Sequence, residues 1–468
     1  MTAVAGFERA VLYSAATMAD TLIVSVSGLR GVVGSTLTPG VATRYAAAFA
    51  ATLPPGPIVI GRDGRTHGPL FAAALRDFFV ASGRDVIDCG IAATPTVGIV
   101  VREERAAGGI QISASHNPPQ YNGLKLFSAA GRVLPAADGA RVLARFHALP
   151  DRVEATGAVR GRVRDVDGGP AHVRLVAATV DVEAIRRRRP RVWLDAGHGA
   201  GSRGARLLFE HLGCEFTIAG GEPDGLFEHP PEPTAENLAA MLPQIRHQHA
   251  DVGFFQDPDA DRLAIATADG RYIGEEATLA LCVEAVLAKT PGPIVVNCST
   301  SGMAAAIAAR HGVPCHVAAV GEANVVDAML ACKAVVGGEG NGGVIEPRVV
   351  LVRDSLVAMA LVLERLATGG TIDAMAHGLP QRIMKKTKID LTPDVQGPGL
   401  VAALGRIERA FPAARASRLD GLRLDVSGGW LLVRASNTEP IVRLVAEGET
   451  EAIVDDALLR ARAALQAP

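Results

Sequence analysis

The sequence lacks the features that define several large classes of protein. Its longest unbroken apolar stretch is Leu356–Leu363, far short of the ~18–20 residues a membrane-spanning helix requires. Neither sign of charge dominates: 47 Lys+Arg against 49 Asp+Glu leave −2, which argues against a nucleic-acid coat or an acidic tail. The six cysteines, at 89, 214, 282, 298, 315 and 332, form no C-x-x-C pair, and a chain of 468 residues needs no disulfide staples. Cys315 adjoins His316, but a zinc site needs further ligands at workable spacing. Buried thiols in a reducing, cytoplasmic setting are the expectation. The 51 Gly and 28 Pro follow no collagen-like period. The apolar patch Ala10–Ala16 follows Glu8 and Arg9 without a net-positive start, so no targeting signal is read; residues 1–17 read as a loose extension.

What is present is abundant core material, with 49% hydrophobic and 21% charged residues, and one recurrent pattern. Short apolar strands run into Gly/Ser/Asp-rich turns: Pro57–Ile60 into Gly61–Arg65, Arg191–Leu194 into Asp195–Gly201, Pro293–Val296 into Asn297–Gly302. A helix-like stretch follows each (Pro69–Ser82, Gly204–Leu212, Met303–His311), closed by Gly83, Gly213 or Gly312, and then another short strand. This is βαβ punctuation, repeated three times. Residues 384–468 differ, opening on Lys385–Lys388 as a linker or edge strand and continuing as a smaller α+β region. The expected fold is α/β, with three similar units at 1–164, 165–271 and 272–383 and a C-terminal α+β domain at 384–468. The charge run Arg186–Arg189 reads as the end of a helix, where cations are favourable.

Four segments carry chemistry. In Ile112–Pro119 a strand leads into Ser113, Ser115, His116 and Asn117, and two prolines stiffen the tip. Ser115 lacks the G-x-S-x-G elbow of hydrolases. In Asp257–Arg262 an apolar strand delivers Asp257, Asp259 and Asp261, whose mutual repulsion a hard cation such as Mg²⁺ relieves. An EF-hand is excluded, because Arg262 and Ala268 occupy its Gly and Glu positions. Gly337–Gly343 surrounds Glu339 and Asn341 with glycine, a carboxylate–amide pair suited to sugar hydroxyls; no Lys-Ser/Thr follows to make a phosphate cradle. In Arg434–Arg443 two arginines flank Ser436, Asn437 and Thr438, a polar nest for a dianionic phosphate.

Together, and in this order, the four segments resemble the α-D-phosphohexomutase superfamily of phosphoglucomutases, phosphomannomutases and phosphoglucosamine mutases. The resemblance spans nearly the whole chain after Met18. It implies four domains around a central cleft, three of them with mixed sheets, each giving one loop. Ser115 would carry the phosphoryl group, and Mg²⁺ would be held by Asp257, Asp259, Asp261 and an oxygen of the phosphorylated Ser115. Arg30, His116, Lys125 and Arg262 match positions near the reacting phosphate, with Lys125 or His116 moving the sugar proton. Glu339 and Asn341 would bind the sugar; Arg434, Ser436, Asn437, Thr438 and Arg443 its phosphate. The implied reaction moves phosphate between O6 and O1 of a hexose phosphate through a hexose 1,6-bisphosphate. Asn341 and Gly343 replace the Ser and His of many members, Pro258 and Ala260 stand where many carry Gly, and Val320–Val325 replaces a loop that often contains Lys. On these features glucosamine phosphate is the favoured substrate, with phosphomannomutase/phosphoglucomutase activity the alternative. A Mg²⁺-dependent sugar-phosphate phosphatase and a non-catalytic sugar-phosphate binder are the readings from other classes. Expected partners are the hexose phosphate alone, without nucleic acid or membrane, for a monomer or homodimer.

Overall fold

The computed structural model describes residues 22–155, 157, 159–390, 398–435 and 441–466; the extension at 1–17 falls outside them. Three sheets obey one connection rule. In the first unit, strand Ile58–Arg62 pairs in parallel with Val86–Ile91 on one side and Gly108–Ile112 on the other, and Tyr121–Ser128 closes antiparallel beside the latter. The second unit repeats this with Arg191–Asp195, Glu215–Ala219, Val252–Gln256 and Leu263–Ala266. The third repeats it with Ile294–Asn297, Cys315–Ala318, Val336–Glu339 and Gly343–Ile345. Each sheet thus runs fourth-third-first-second and is mixed, and the three α/β units are alike in topology as well as in punctuation. The first sheet gains Ile23–Ser25 and Gly28–Val32 at one edge and Val163–Asp165 at the other, reaching seven strands.

The helices after the first strands begin slightly earlier than their sequence pattern suggests, at Gly68–Ala81, Gly201–Leu212 and Gly302–Arg310. Their apolar periodicity is masked in the small-residue first turn. Gly83, Gly213 and Gly312 all close them with positive φ (+81°, +68° and +67°), a conformation only glycine adopts without strain. The basic run ends helix Val182–Arg188, with Arg189 left-handed at its C-cap.

One apolar core runs through all three units, joining Val97 and Val101 of helix Thr94–Glu103, Val173 and Val176 of Gly169–Ala177, and Leu356–Leu363 of Ser355–Ala367. The longest apolar stretch is therefore core, and no single helix among the described residues is long and apolar enough to cross a membrane. The C-terminal domain is separate: a five-stranded antiparallel sheet, edged by Ile383–Asp390, under helices Pro398–Ala410 and Glu451–Gln466. It has its own core around Leu424, Leu431 and Leu444, and among the described residues the apolar part of its joint to the third unit is a small cluster (Cys298, Trp430, Leu432, Val445). All six cysteines are unpaired; Cys282 and Cys298 are buried and the other four half-buried, a more open setting than expected for several of them.

Candidate active site

In each α/β unit the chemistry-bearing loop occupies the same place, the turn between third and fourth strands. Ile112 leads into the serine loop, Gln256 into the aspartate loop and Glu339 into the glycine-rich turn. These turns lie at the carboxyl ends of parallel strands, where α/β sheets gather ligands.

The serine loop is held from beneath by Arg65. This guanidinium is 1% exposed and donates to the carbonyls of Ser115 (2.6 Å), Asn117 (2.5 Å), Pro118 (2.8 Å) and Tyr121 (3.0 Å). Its Nε pairs with Asp63 at 3.2 Å, and Ser113 Oγ donates to the same carboxylate at 2.7 Å. Ser115 sits at φ +52°, an unfavourable conformation for a residue with a Cβ; the Arg65 fork over-determines it. From there Ser115 Oγ donates to Asp257 Oδ2 at 2.8 Å, with His116 Nδ1 at 3.4 Å. Serine loop and aspartate loop, 142 residues apart in sequence, are in direct contact.

Asp257, Asp259 and Asp261 are fully buried, and each offers an oxygen within 4.8 Å of the others. Asp259 Oδ1 and Asp261 Oδ1 have no hydrogen-bond partner among the described residues. Burial, then Asp259 and Asp261, push the Asp257 carboxyl well above the usual carboxylate range. Burial also disfavours charge on Asp261, but Arg353 and Lys125 outweigh it and hold that group low. Three buried carboxylates beside a serine hydroxyl, two of them with an oxygen left unpartnered, fit a hard divalent cation of the Mg²⁺ type. Lys125 Nζ donates to Asp259 at 2.5 Å and Asp261 at 2.7 Å. Burial lowers its pKa and the two aspartates raise it more, so the net shift is upward. An ammonium so held is a counter-charge rather than a base, which separates Lys125 from His116. Burial, then Arg262 and Arg30, hold the His116 imidazole well below its ordinary value.

A cleft of about 250 Å³ opens beside this cluster, lined by Arg30, Lys125, Arg262, Glu322, Glu339, Asn341 and Arg353 among others. Lys125 and Arg353 there are engaged by Asp259, Asp261 and Glu339, so Arg30 and Arg262 are the cations available to a phosphate dianion. Arg30 donates to Asn117 Oδ1 at 3.1 Å, and Arg262 Nε lies 3.7 Å from Asp261. Glu339 accepts from Asn297 Nδ2 (2.8 Å) and the Gly321 amide (3.0 Å), while Asn341 turns back on the Gly343 amide at 3.3 Å. Arg353 ties the wall together, reaching Asp261 and Glu339 at 2.6 Å each and Glu322 at 3.5 Å. A larger hollow of about 350 Å³ lies around Arg62, Arg76 and Arg203, but Arg76 and Arg203 there are paired with Asp88 and Asp167.

The C-terminal domain meets this wall through Asp420, which accepts from Arg434 Nε at 2.8 Å and from the Val320 amide at 3.0 Å. Arg434 and Arg443 face each other in register on neighbouring strands. Ser436, Asn437 and Thr438 lie outside the described residues.

Sequence reasoning missed Arg65, Arg353 and Thr94, whose hydroxyl donates to Asp259 at 2.5 Å. A signal existed for the two arginines. Each stands just before a helix, Gly68–Ala81 or Ser355–Ala367, where a cation opposes the helix dipole and needs a specific partner.

Comparison with known proteins agrees with this geometry. Four successive family models match: phosphoglucomutase/phosphomannomutase alpha/beta/alpha domain I at residues 22–152, domain II at 170–270, domain III at 275–383 and the C-terminal domain at 396–463. A phosphoglucomutase/phosphomannomutase from Thermococcus kodakarensis is 35% identical over 432 residues, covering 91% of this chain and 94% of the relative. A probable phosphoglucosamine mutase from Pyrococcus horikoshii is 30% identical, covering 93% and 96%. Among solved structures, a phosphoglucomutase/phosphomannomutase family protein from Burkholderia thailandensis superposes with a TM-score of 0.83 at 28% identity, covering 95% of this chain and 97% of that one. The chain belongs to the phosphoglucomutase/phosphomannomutase family, the phosphohexomutases, and is an intramolecular phosphotransferase.

Proposed function

We propose that this phosphohexomutase interconverts glucosamine 6-phosphate and glucosamine 1-phosphate, with Ser115 as the phosphoryl carrier. The observation that carries the reading is the 2.8 Å contact between Ser115 Oγ and Asp257 within the buried aspartate triad, at the edge of a cleft that carries Arg30 and Arg262. Asp257, Asp259 and Asp261 would hold Mg²⁺, which supplies charge neutralisation at the transferring phosphoryl group. In the first half-reaction the sugar O1 attacks the phosphorus on Ser115. The O1–P bond forms, the Oγ–P bond breaks, and a 1,6-bisphosphate results. After the intermediate turns over, Ser115 Oγ attacks the phosphorus at O6, releasing the 1-phosphate and restoring the phosphoserine. His116, 3.4 Å from Ser115 Oγ, would take the O1 proton and return it to O6. Arg30 and Arg262 stabilise charge on the moving group, and Lys125 keeps the triad from collapsing on its own repulsion. Glu339 and Asn341 orient the sugar, while Arg434, Ser436, Asn437, Thr438 and Arg443 receive the phosphate that is not reacting.

Two cleft carboxylates, Glu322 and Glu339, favour an amino sugar, as does the name of the Pyrococcus relative. One observation favours a neutral sugar: Arg353 already engages both carboxylates. That supports phosphomannomutase/phosphoglucomutase activity as the second reading, in line with the name of the Thermococcus relative. Parallel coupled assays with glucosamine, mannose and glucose 6-phosphates, with free phosphate read in the same wells, decide between them. Turnover fastest on glucosamine 6-phosphate without phosphate release is the expected result; phosphate release in place of isomerisation refutes the mutase reading. Ser115→Ala is expected to abolish turnover, and undiminished activity in that variant refutes the serine assignment.

A further inference from the structure

Outside the cleft, the described residues hold one fully buried histidine in contact with two units other than its own. His172, on helix Gly169–Ala177, is 0% exposed. Its Nδ1 lies 2.8 Å from Thr96 Oγ1 of the first unit, and its Nε2 lies 2.7 Å from Asp354 Oδ2 of the third. An ionised carboxylate only accepts, so Nε2–H donates to Asp354.

Both neighbours belong to segments that grip the aspartate loop. Two residues before Thr96, Thr94 holds Asp259 twice, through its hydroxyl to the carboxylate at 2.5 Å and its amide to the carbonyl at 2.9 Å. Beside Asp354, Arg353 holds the Asp261 carboxylate at 2.6 Å, and Ser355 Oγ donates to the Ala260 carbonyl at 2.7 Å. Ala260 stands at φ +56°, so the loop is strained and depends on such external grips. Asp354 Oδ1 meanwhile caps helix Ser355–Ala367 by accepting from Leu356 and Val357, which leaves Oδ2 for the histidine. The two brackets reach the loop from different units and meet at one imidazole.

We propose that His172 is a positioning residue of the phosphoryl-transfer site: by joining Thr96 to Asp354 it fixes the spacing of the Thr94 and Arg353 brackets, and hence the geometry in which the aspartate triad accepts a divalent cation. The activity arm of the test rests on the mutase reading; the metal arm does not.

The test measures Mn²⁺ affinity of the purified full-length protein by titration calorimetry or electron paramagnetic resonance, for wild type, His172→Phe and His172→Gln, alongside kcat, KM and thermal midpoint. Phenylalanine keeps the ring volume and deletes both hydrogen bonds; glutamine restores a donor and an acceptor. Mn²⁺ binding is expected to weaken about tenfold in His172→Phe, the low end for a residue supporting metal ligands, and to recover in part in His172→Gln. kcat is expected to fall while KM for the hexose phosphate stays near wild type, with partial rescue at raised Mg²⁺. Mn²⁺ affinity within about twofold of wild type overturns the proposal, whatever the thermal midpoint does, because a purely structural role moves only the latter. Should His172→Phe not fold, Thr96→Val removes one hydroxyl from the same bridge; unchanged metal affinity there also overturns it. Wild type that binds no Mn²⁺ sinks this inference, whereas wild type that binds Mn²⁺ but turns over no hexose phosphate sinks only the proposed function.

Discussion

Replacing Arg65 by lysine keeps the positive charge under the serine loop and removes the fork that shapes it. The guanidinium makes five contacts, to four carbonyls and to Asp63. An ammonium has three donors, so even a well-placed lysine leaves at least two of those groups without their partner. Each buried carbonyl so orphaned costs about 1–3 kcal/mol, a total of about 2–6 kcal/mol. The Asp63 charge retains a counter-ion in this variant, so the larger penalty of an uncompensated buried carboxylate does not arise. A loss of that size exceeds the penalty that the fork must offset to keep Ser115 left-handed, about 1–2 kcal/mol, and the loop is expected to relax before the domain unfolds. kcat should therefore drop by at least about a hundredfold, with the urea midpoint lowered but the transition still cooperative. Amide hydrogen exchange should rise at Ser115–Asn117 and not at Leu75 or Phe79 in the neighbouring core. Full activity with unaltered exchange in Arg65→Lys would refute the idea that the fork sets the serine geometry.

Two other perturbations test how the C-terminal domain is attached. Glu447 accepts from the Gly302 amide at 2.8 Å and from Trp430 Nε1 at 2.9 Å, so it caps a third-unit helix from across the joint; Glu447→Ala loses two charge-assisted bonds worth about 1.5–3 kcal/mol each and should enlarge the radius of gyration in small-angle scattering and raise KM, with unchanged scattering counting against the capping role. Beside it, burial pushes the Glu276 carboxyl up to about 7 from its ordinary 4.5, against the pull of Lys386. The folded protein then binds a proton in that window that the unfolded chain has released, so this group makes stability fall as pH rises from about 4.5 through about 7; Glu276→Gln should flatten that slope in thermal midpoints measured across the range, and an unaltered slope sinks the assignment.

The degree to which this site is legible in the sequence follows from how local each piece is. Asp257, Asp259 and Asp261 lie within five residues of chain after an apolar strand, so their convergence is nearly forced by covalent geometry. Ser115 is likewise advertised by its stiff loop. The βαβ punctuation is legible because helices and parallel strands carry strong periodicity and glycine stops. The hairpin that completes the third sheet is not, because Val336-Gly-Gly-Glu339 and Gly343-Val-Ile345 lack the β-branched alternation of an ordinary strand. Glycine is required there by close packing: a Cβ on Gly338 would lie 2.3 Å from the Gly343 carbonyl oxygen. A cation ahead of a helix marks Arg65 and Arg353 locally, but what they grip, like what His172 bridges, is beyond local reading. Their partners lie tens to nearly two hundred residues away, and only the assembled units bring them together. The split between Lys125 and His116 is illegible for the same reason, since it depends on which carboxylates each one meets.

The arrangement also explains why one part of such an enzyme can move while another must not. The triad draws its neutralising charges from different units, Lys125 from the first and Arg353 from the third, and Ser115 reaches Asp257 across the boundary between first and second. Separating those units would leave buried carboxylates facing one another, at a cost of several kcal/mol for each uncompensated charge. A continuous apolar core through all three units adds to that resistance. The C-terminal domain stands on different terms: its core is its own, its apolar joint is small, and Asp420 and Glu447 each pin it through backbone amides of the third unit. Among the described residues its contacts touch the cleft wall at Val320 and not the triad. On the proposed mechanism, opening that domain would expose the cleft for a bisphosphate to turn while the contacts around the triad stay intact, because the charges paired with the triad come from the first and third units.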